Sequence, residues 1–429
     1  MPIAIGILVA SEQIPMDKLE QTELLGELAL SGELRPVRGV ISAAMASQQA
    51  QRILLTPTQN APQVRLVDES SNLSAERLLD VAAFLASQQQ LQLQGAGAEV
   101  RAEIEFNPNH DMQDIIGQQQ GKRALEIAAA GQHNLLFLGP PGTGKTMLAA
   151  RLPDLIPPMS KQQALEVAAV ASLVEQDLDS TTWRKRPFRA PHHSSSMVAL
   201  VGGGSFPKPG EISLAHNGIL FLDELPEFER RVLDALREPL EAGKVAISRA
   251  SGKTCFPAQF QLIAALNPSP SGQYQGSQCH QSPQSILKYL SRISGPFLDR
   301  FDMSVEIPLL PLGSLSAGGD RGESTQVYRK RVLGARKIML QRSGKVNALL
   351  SNQEIARYCS LSQDDAEFLE FAINRLGLSI RAYHRIIRVA RTIADLGQSE
   401  QIQRSHLSEA LGYRSMDRLL LALHQQVAI

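Results

Sequence analysis

Eight consecutive residues hold the clearest chemistry in the chain: Gly139, Pro140, Pro141, Gly142, Thr143, Gly144, Lys145 and Thr146. The apolar run Asn134 to Leu138 precedes them and Met147 to Leu152 follows, so the pattern predicts a buried strand, a glycine-rich turn and a helix. In that setting the glycines let backbone N–H groups converge on phosphates, and the helix start adds positive dipole. Lys145 is expected to reach the β and γ phosphates of a nucleotide, and Thr146 to hold Mg2+.

Binding alone does not give hydrolysis, which needs carboxylates on a neighbouring strand. Gly218 to Leu222 is apolar and ends in Asp223 and Glu224, as expected of a buried parallel strand that aims its acids at the phosphates. Asp223 is the expected Mg2+ partner and Glu224 the base for the attacking water. A third apolar run, Gln261 to Leu266, ends in Asn267, placed to hold that water beside Glu224. Arg300, within Leu298 to Asp302, could stabilise charge on the γ phosphate of a neighbouring subunit's nucleotide or serve as a salt-bridge partner.

Two segments suggest contact with a polyanion. Trp183 to Ser196 contains Arg184, Lys185, Arg186 and Arg189 ahead of His192 and His193, and a glycine triplet and Lys208 follow. This mixture suits a mobile loop touching nucleic acid, or a solvated basic loop. The adjacent histidines cannot easily aim at one metal, and no acidic cluster lies nearby in sequence. Val245 to Pro257 reads as a hairpin turning at Ser251-Gly252, with Arg249 and Lys253 near its tip.

The elements that must position these residues imply an α/β chain: a P-loop parallel-sheet core over 109–311, a linker at 312–326 and a helical lid over 327–429. Ahead of them stand an α+β unit over 1–88 and a glutamine-rich linker over 89–108. In the first unit, Leu24 to Val40 predicts a strand and hairpin. Ile41 to Arg52 and Ser74 to Gln88 predict helices, the second capped by Ser74. Asp111 to Ala130 and Phe228 to Glu241 are also expected to be helical. Arg381, Arg385 and Arg388 share one helical face, either solvated or, through Arg381, sensing nucleotide from the lid.

The 429 residues suffice for two or three domains. Forty-three basic residues balance forty-three acidic ones, so any nucleic-acid contact must come from local patches. Three scattered cysteines argue against a disulfide framework and fit a reducing, cytoplasmic compartment. The apolar start, Met1 to Ala10, has no basic flank and is too short to span a bilayer, which predicts a core segment and no membrane partner.

Together, Gly139 to Thr146, Pro187 to His193, Pro209 to Gly218, Leu222 to Phe228 and Tyr289 to Pro296 resemble the magnesium-chelatase-like branch of the AAA+ ATPases, and closely its ComM/YifB family. The resemblance covers nearly the whole chain. It implies a homohexameric ATP-hydrolysing ring with shared sites, using ATP and Mg2+, and acting on DNA as a branch-migration motor in natural transformation. It places Lys145, Thr146, Asp223, Glu224 and Asn267 at the Walker and first-sensor positions, Arg300 at the trans arginine finger and Arg381 at the second sensor. Arg189 to Gly210 and Arg249 to Pro257 correspond to channel-facing segments, so Arg189, His192, His193, Lys208, Arg249 and Lys253 become DNA candidates.

The front unit resembles the protease domain of Lon, but the catalytic serine and lysine positions fall near Ile3 and Ile41, which cannot do that chemistry. It also begins abruptly, as if shortened. Where relatives often carry cysteines after the first-sensor asparagine, this chain has Ser269 and Ser271, with Cys279 and His280 beyond, so a zinc site is not expected. A protein-remodelling motor like that of magnesium chelatase is the alternative to a DNA motor.

Overall fold

The computed structural model describes residues 1–67, 72–91, 111–174, 183–204, 207–249, 252–270, 272, 281–311 and 322–427. Most of both expected linkers, the Ser251 turn, Ser271, Cys279 and His280 lie outside these residues. The chain divides into two compact units, Met1–Glu105 with Met159–Lys185, and Phe106–Pro158 with Arg186–Ile429. This partition differs from the boundaries expected above, because residues 159–185 fall with the first unit. The helix Lys161–Ala171 buries Ala168 in a cluster with Val40, Ile41, Ala44, Leu54 and Val64. Gly39, at φ 75°, donates its N–H to Ser172 O at 2.9 Å.

In the first unit the strands Thr22–Leu24, Ile53–Pro57 and Asn72–Ala75 form a parallel sheet in that order. Successive residues of the middle strand face opposite sides. Leu54 joins the Val40 cluster, and Leu55 joins Met1, Ile5, Leu34 and Leu73. Glu27–Leu28 and Leu34–Arg35 make the expected hairpin, and the helix Val40–Gln49 follows.

Two expectations are corrected here. Met1 to Ala10 is a core segment on one side only: in the helix Pro2–Ala10, Ile5, Leu8 and Val9 pack with Met1 in the core, but Ile3 and Ile7 are exposed. Ser74 lies in the third strand, not at a helix start. The helix after it is Leu78–Leu85, whose entry is fixed by Arg77 N–H donating to Asp80 Oδ2 at 2.9 Å.

The second unit holds a five-stranded sheet: β1 (Leu135–Leu138), β2 (Phe188–Arg189), β3 (Ile219–Leu222), β4 (Gln261–Leu266) and β5 (Met303–Glu306). The order is β5-β1-β4-β3-β2, and all neighbours run parallel. β1, β3 and β4 are buried throughout, which is why they read as unbroken apolar runs. The packing helices include α1 (Gln119–Gly131), α2 (Lys145–Ala150), α3 (Thr325–Ser343) and α4 (Ile380–Leu396).

The stretch expected to be helical from Asp111 is broken before α1. Met112–Asp114 is a 3-10 turn, and Gly117 and Gln118 have φ of 63° and 53°. Likewise Phe228 to Glu241 divides into Arg230–Ala235 and Arg237–Ala242.

A buried polar network ties α4 to α3 and to the entry of β1. The Asp395 carboxylate, fully buried, accepts from Arg342 at 2.7 and 2.8 Å, from Arg391 at 3.1 Å and from Asn347 at 2.8 Å. Asn347 Nδ2 also donates to Thr392 Oγ1, which lies 2.8 Å from His133 Nε2.

Candidate active site

The chain leaves β1 through Gly139, whose N–H donates to Leu266 O of β4 at 3.2 Å. A Cβ on Gly139 would lie 2.3 Å from Ile307 O, so no larger residue fits there. Gly142 and Gly144 take φ of 76° and 87°, the left-handed region that admits glycine without strain. That turn starts α2 at Lys145.

Lys145 Nζ donates to Gly139 O at 2.8 Å, Pro140 O at 2.7 Å and Asn267 Oδ1 at 3.1 Å. Burial lowers its pKa to about 8, while Asp223 and Glu224 pull it back upward. Thr146 Oγ1 donates to Asp223 Oδ2 at 2.6 Å, and Glu224 N–H to Asp223 Oδ1 at 2.9 Å. The hydroxyl and the carboxylate are hard oxygen donors, a set that suits Mg2+; the ammonium and the loop before α2 suit a polyphosphate. Thus the loop after β1, the acids after β3 and the asparagine after β4 converge on one place.

Glu224 is exposed and takes φ 51° and ψ 49°, an uncommon conformation for a non-glycine residue. Its Oε2 lies 3.2 Å from His193 Nδ1. Gln118 Nε2 donates to Thr143 O at 3.2 Å and Pro308 O at 2.8 Å, tying the start of α1 to the phosphate loop.

Arg300 and Arg381 lie elsewhere, brought together by a cavity of about 320 Å3 that Arg385, Arg388, Glu241 and Asp302 also line. No P-loop residue lines it, nor does Asp223 or Glu224. Arg300 pairs with Glu241, and Arg385 Nε lies 3.8 Å from Asp302 Oδ1. Burial pushes the Asp302 carboxyl up, but His133, Arg385 and the Asn134 N–H outweigh it and hold it below its ordinary value. The cationic face of α4 is therefore a cavity wall rather than a fully solvated surface, since Arg385 and Arg388 are partly buried.

The basic stretch before the histidine pair is largely pinned. Arg184 Nε donates to Met159 O and Arg186 to Pro157 O and Asn217 O. Arg189, in β2, makes a two-pronged pair with Glu211 at 2.6 and 2.8 Å. These residues correct the expectation of a mobile loop. His192, Lys208 and Lys253 are exposed, whereas His193 faces Glu224. Arg249 ends the first strand of the hairpin Lys244–Arg249/Gly252–Pro257, and its side chain lies outside the described residues. The His193, Glu241 and Asp302 contacts were missed by sequence reasoning.

The strand order β5-β1-β4-β3-β2, with a phosphate loop after β1, acids after β3 and a C-terminal helical region, defines the class: a P-loop protein of the AAA+ type. Residues 111–315 match the family model "Magnesium chelatase, subunit ChlI", 322–414 the corresponding C-terminal model, and 1–60 "Subunit ChlI of Mg-chelatase". Competence protein ComM of Haemophilus influenzae is 58% identical over 425 residues, covering 99% of this chain and 83% of that protein. YifB of Salmonella typhimurium is 53% identical over 430 residues, covering 100% of this chain and 84% of its own. Lon protease 2 of Bacillus subtilis matches 37% of this chain and 33% of its own at 31% identity. The chain belongs to the ComM/YifB family of magnesium-chelatase-like AAA+ ATPases.

Proposed function

We propose that the protein is an ATP-hydrolysing motor that acts on DNA, as a homohexameric ring in the cytoplasm, in branch migration during natural transformation and recombination. The observation that carries the ATPase reading is the convergence of Lys145, Thr146, Asp223, Glu224 and Asn267 from three strand ends. The P-loop N–H groups and Lys145 bind and orient the triphosphate, and Asn267, bonded to Lys145, positions the water that Glu224 activates. Mg2+ at Thr146 and Asp223 would neutralise charge on the phosphate oxygens.

The cavity that gathers Arg300 and Arg381 away from the chain's own P-loop supports their supply to a neighbouring subunit's nucleotide, so that each site is shared. The two positions of the front unit that would carry peptidase chemistry do not support it: Ile3 is exposed, Ile41 is buried, and both are aliphatic. The DNA reading rests on the family and on exposed His192, Lys208 and Lys253.

A protein-remodelling motor is the second reading, favoured by the matches to magnesium-chelatase models. Steady-state ATPase activity with and without single-stranded and four-way-junction DNA separates the two. Salt-sensitive stimulation, absent in Glu224→Gln, supports the DNA motor. Turnover indifferent to every DNA in an assembled ring supports remodelling.

A further inference from the structure

Glu224 takes a left-handed backbone conformation, φ 51° and ψ 49°, which a residue with a side chain keeps only where its surroundings fix it. The fixing begins in the residues that follow. Leu225, Pro226 and Phe228 are buried, and the 3-10 turn Leu225–Glu227 is closed by Glu227 N–H donating to Glu224 O at 2.8 Å. A brace from outside the turn reaches it through the Glu227 side chain. The helix Pro283–Leu290, downstream of Asn267, starts on Ser282, whose side chain accepts from Ser285 N–H, and it buries Ile286, Tyr289 and Leu290 at i, i+3 and i+4. That face brings the Tyr289 hydroxyl to Glu227 Oε1, to which it donates at 3.2 Å. Arg292 donates to Glu227 Oε2 at 3.3 Å and lies over the Tyr289 ring at 5.4 Å. Ser294 Oγ donates to Asp234 Oδ1 at 2.6 Å, in the helix Arg230–Ala235. Residues 289–294 therefore grip the segment after Glu224 at two points.

The two contacts on Glu227 are unequal. Arg292 and Glu227 are both half-exposed, a setting in which an ion pair contributes little. Tyr289 is buried, and burial together with Glu227 and Glu224 pushes its hydroxyl up to about 12, so it stays protonated and donates. Resting on the ATPase reading above, we propose that Tyr289 is a positioning residue for the catalytic base: by holding Glu227 it keeps the turn closed and the Glu224 carboxylate aimed at the water beside Asn267. Among the described residues, Tyr289 and Glu227 make no hydrogen bond to the phosphate loop. The brace therefore acts on the chemical step and not on nucleotide binding.

The test is steady-state ATPase of the full chain, with affinity for an ATP analogue that is not hydrolysed measured alongside, for Tyr289→Phe, Glu227→Ala, Glu227→Gln and the double variant Tyr289→Phe/Glu227→Ala. One hydrogen bond to a charged acceptor corresponds to roughly tenfold. Tyr289→Phe leaves the ring and its packing in place, so it should lower kcat about tenfold with KM and analogue affinity unchanged. Glu227→Ala should do the same, and the double variant should fall no further than the deeper single one, because both remove one shared contact. Glu227→Gln keeps an amide oxygen that accepts from the hydroxyl and should recover most of the loss. An unchanged kcat in Tyr289→Phe overturns the brace. So does a Tyr289→Phe effect that is undiminished in the Glu227→Ala background, or a loss of kcat matched by an equal loss of analogue affinity. Failure of the underlying reading shows separately: Glu224→Gln would then retain turnover, whatever Tyr289 does.

Discussion

The buried lysine of the phosphate loop makes nucleotide binding a proton-linked event. Without nucleotide the Lys145 ammonium is desolvated and titrates near 8. A bound polyphosphate restores opposite charge at close range and raises that pKa again. Binding must then take up the protons that were missing beforehand, which is the neutral fraction of Lys145: about a quarter per site at pH 7.5, about half at pH 8 and about nine-tenths at pH 9. The sign follows: the binding-competent form is the protonated one, so affinity falls as pH rises through the nucleotide-free pKa. From the same titration, affinity for an analogue that is not hydrolysed is expected to be about eightfold weaker at pH 9 than at pH 7.5. At pH 7.5 and above the terminal phosphate is already ionised and does not confuse the count. Isothermal titration calorimetry in buffers of different ionisation enthalpy reads the uptake directly. Lys145→Arg, always charged, is the control and should show none. Uptake below about a tenth of a proton at pH 8, with affinity flat across the range, would refute the argument that burial outweighs the neighbouring acids.

Three further outcomes are expected. Arg300→Ala and Arg381→Ala should each leave nucleotide affinity intact and cut kcat by roughly 100-fold or more, and mixing either with Lys145→Ala should restore part of the activity if sites are shared. Asp395→Asn leaves Arg342 and Arg391 without their buried counter-charge and should destabilise the helical lid by about 3 kcal/mol, read as a lower urea midpoint; an unchanged midpoint would contradict the network. Gly144→Ala has open space for its methyl but must hold φ 87°, so it should cost about 1–2 kcal/mol in stability and weaken nucleotide binding. A neutral result would mean that the loop relaxes.

What the sequence disclosed and what it hid follow from how far each feature reaches along the chain. The phosphate loop was legible because its left-handed turns demand glycine at fixed local spacing, and its lysine and threonine follow at once. Asp223, Glu224 and Asn267 were legible because buried strands leave unbroken apolar runs that end in polar residues. The His193–Glu224 pair was not, since it depends on β2 lying beside β3 in one register, and no periodicity within either strand records that. Arg184, Arg186 and Arg189 looked like a polyanion surface because composition counts charges without showing the carbonyls and the carboxylate that receive them. The apolar start misled for another reason: Pro2 to Ala10 is apolar all round, so the pattern could not tell which side would be covered.

The helix Lys161–Ala171, which completes the first unit, is encoded after the phosphate loop, and this governs how the chain can be made and cut. During synthesis the Val40 and Ile41 face, packed early by Leu54 and Val64, waits for the rest of its cover until some 120 further residues have emerged, so the front unit cannot finish before much of the nucleotide core exists. A fragment begun at residue 109 would keep that helix but strip it of its companions, leaving Leu165 and Ala168 against water. A fragment ended at residue 105 would lack the cover itself. Neither half is a detachable module, and an experimenter who wants the motor without its front must excise residues 159–185 as well and join the ends that remain.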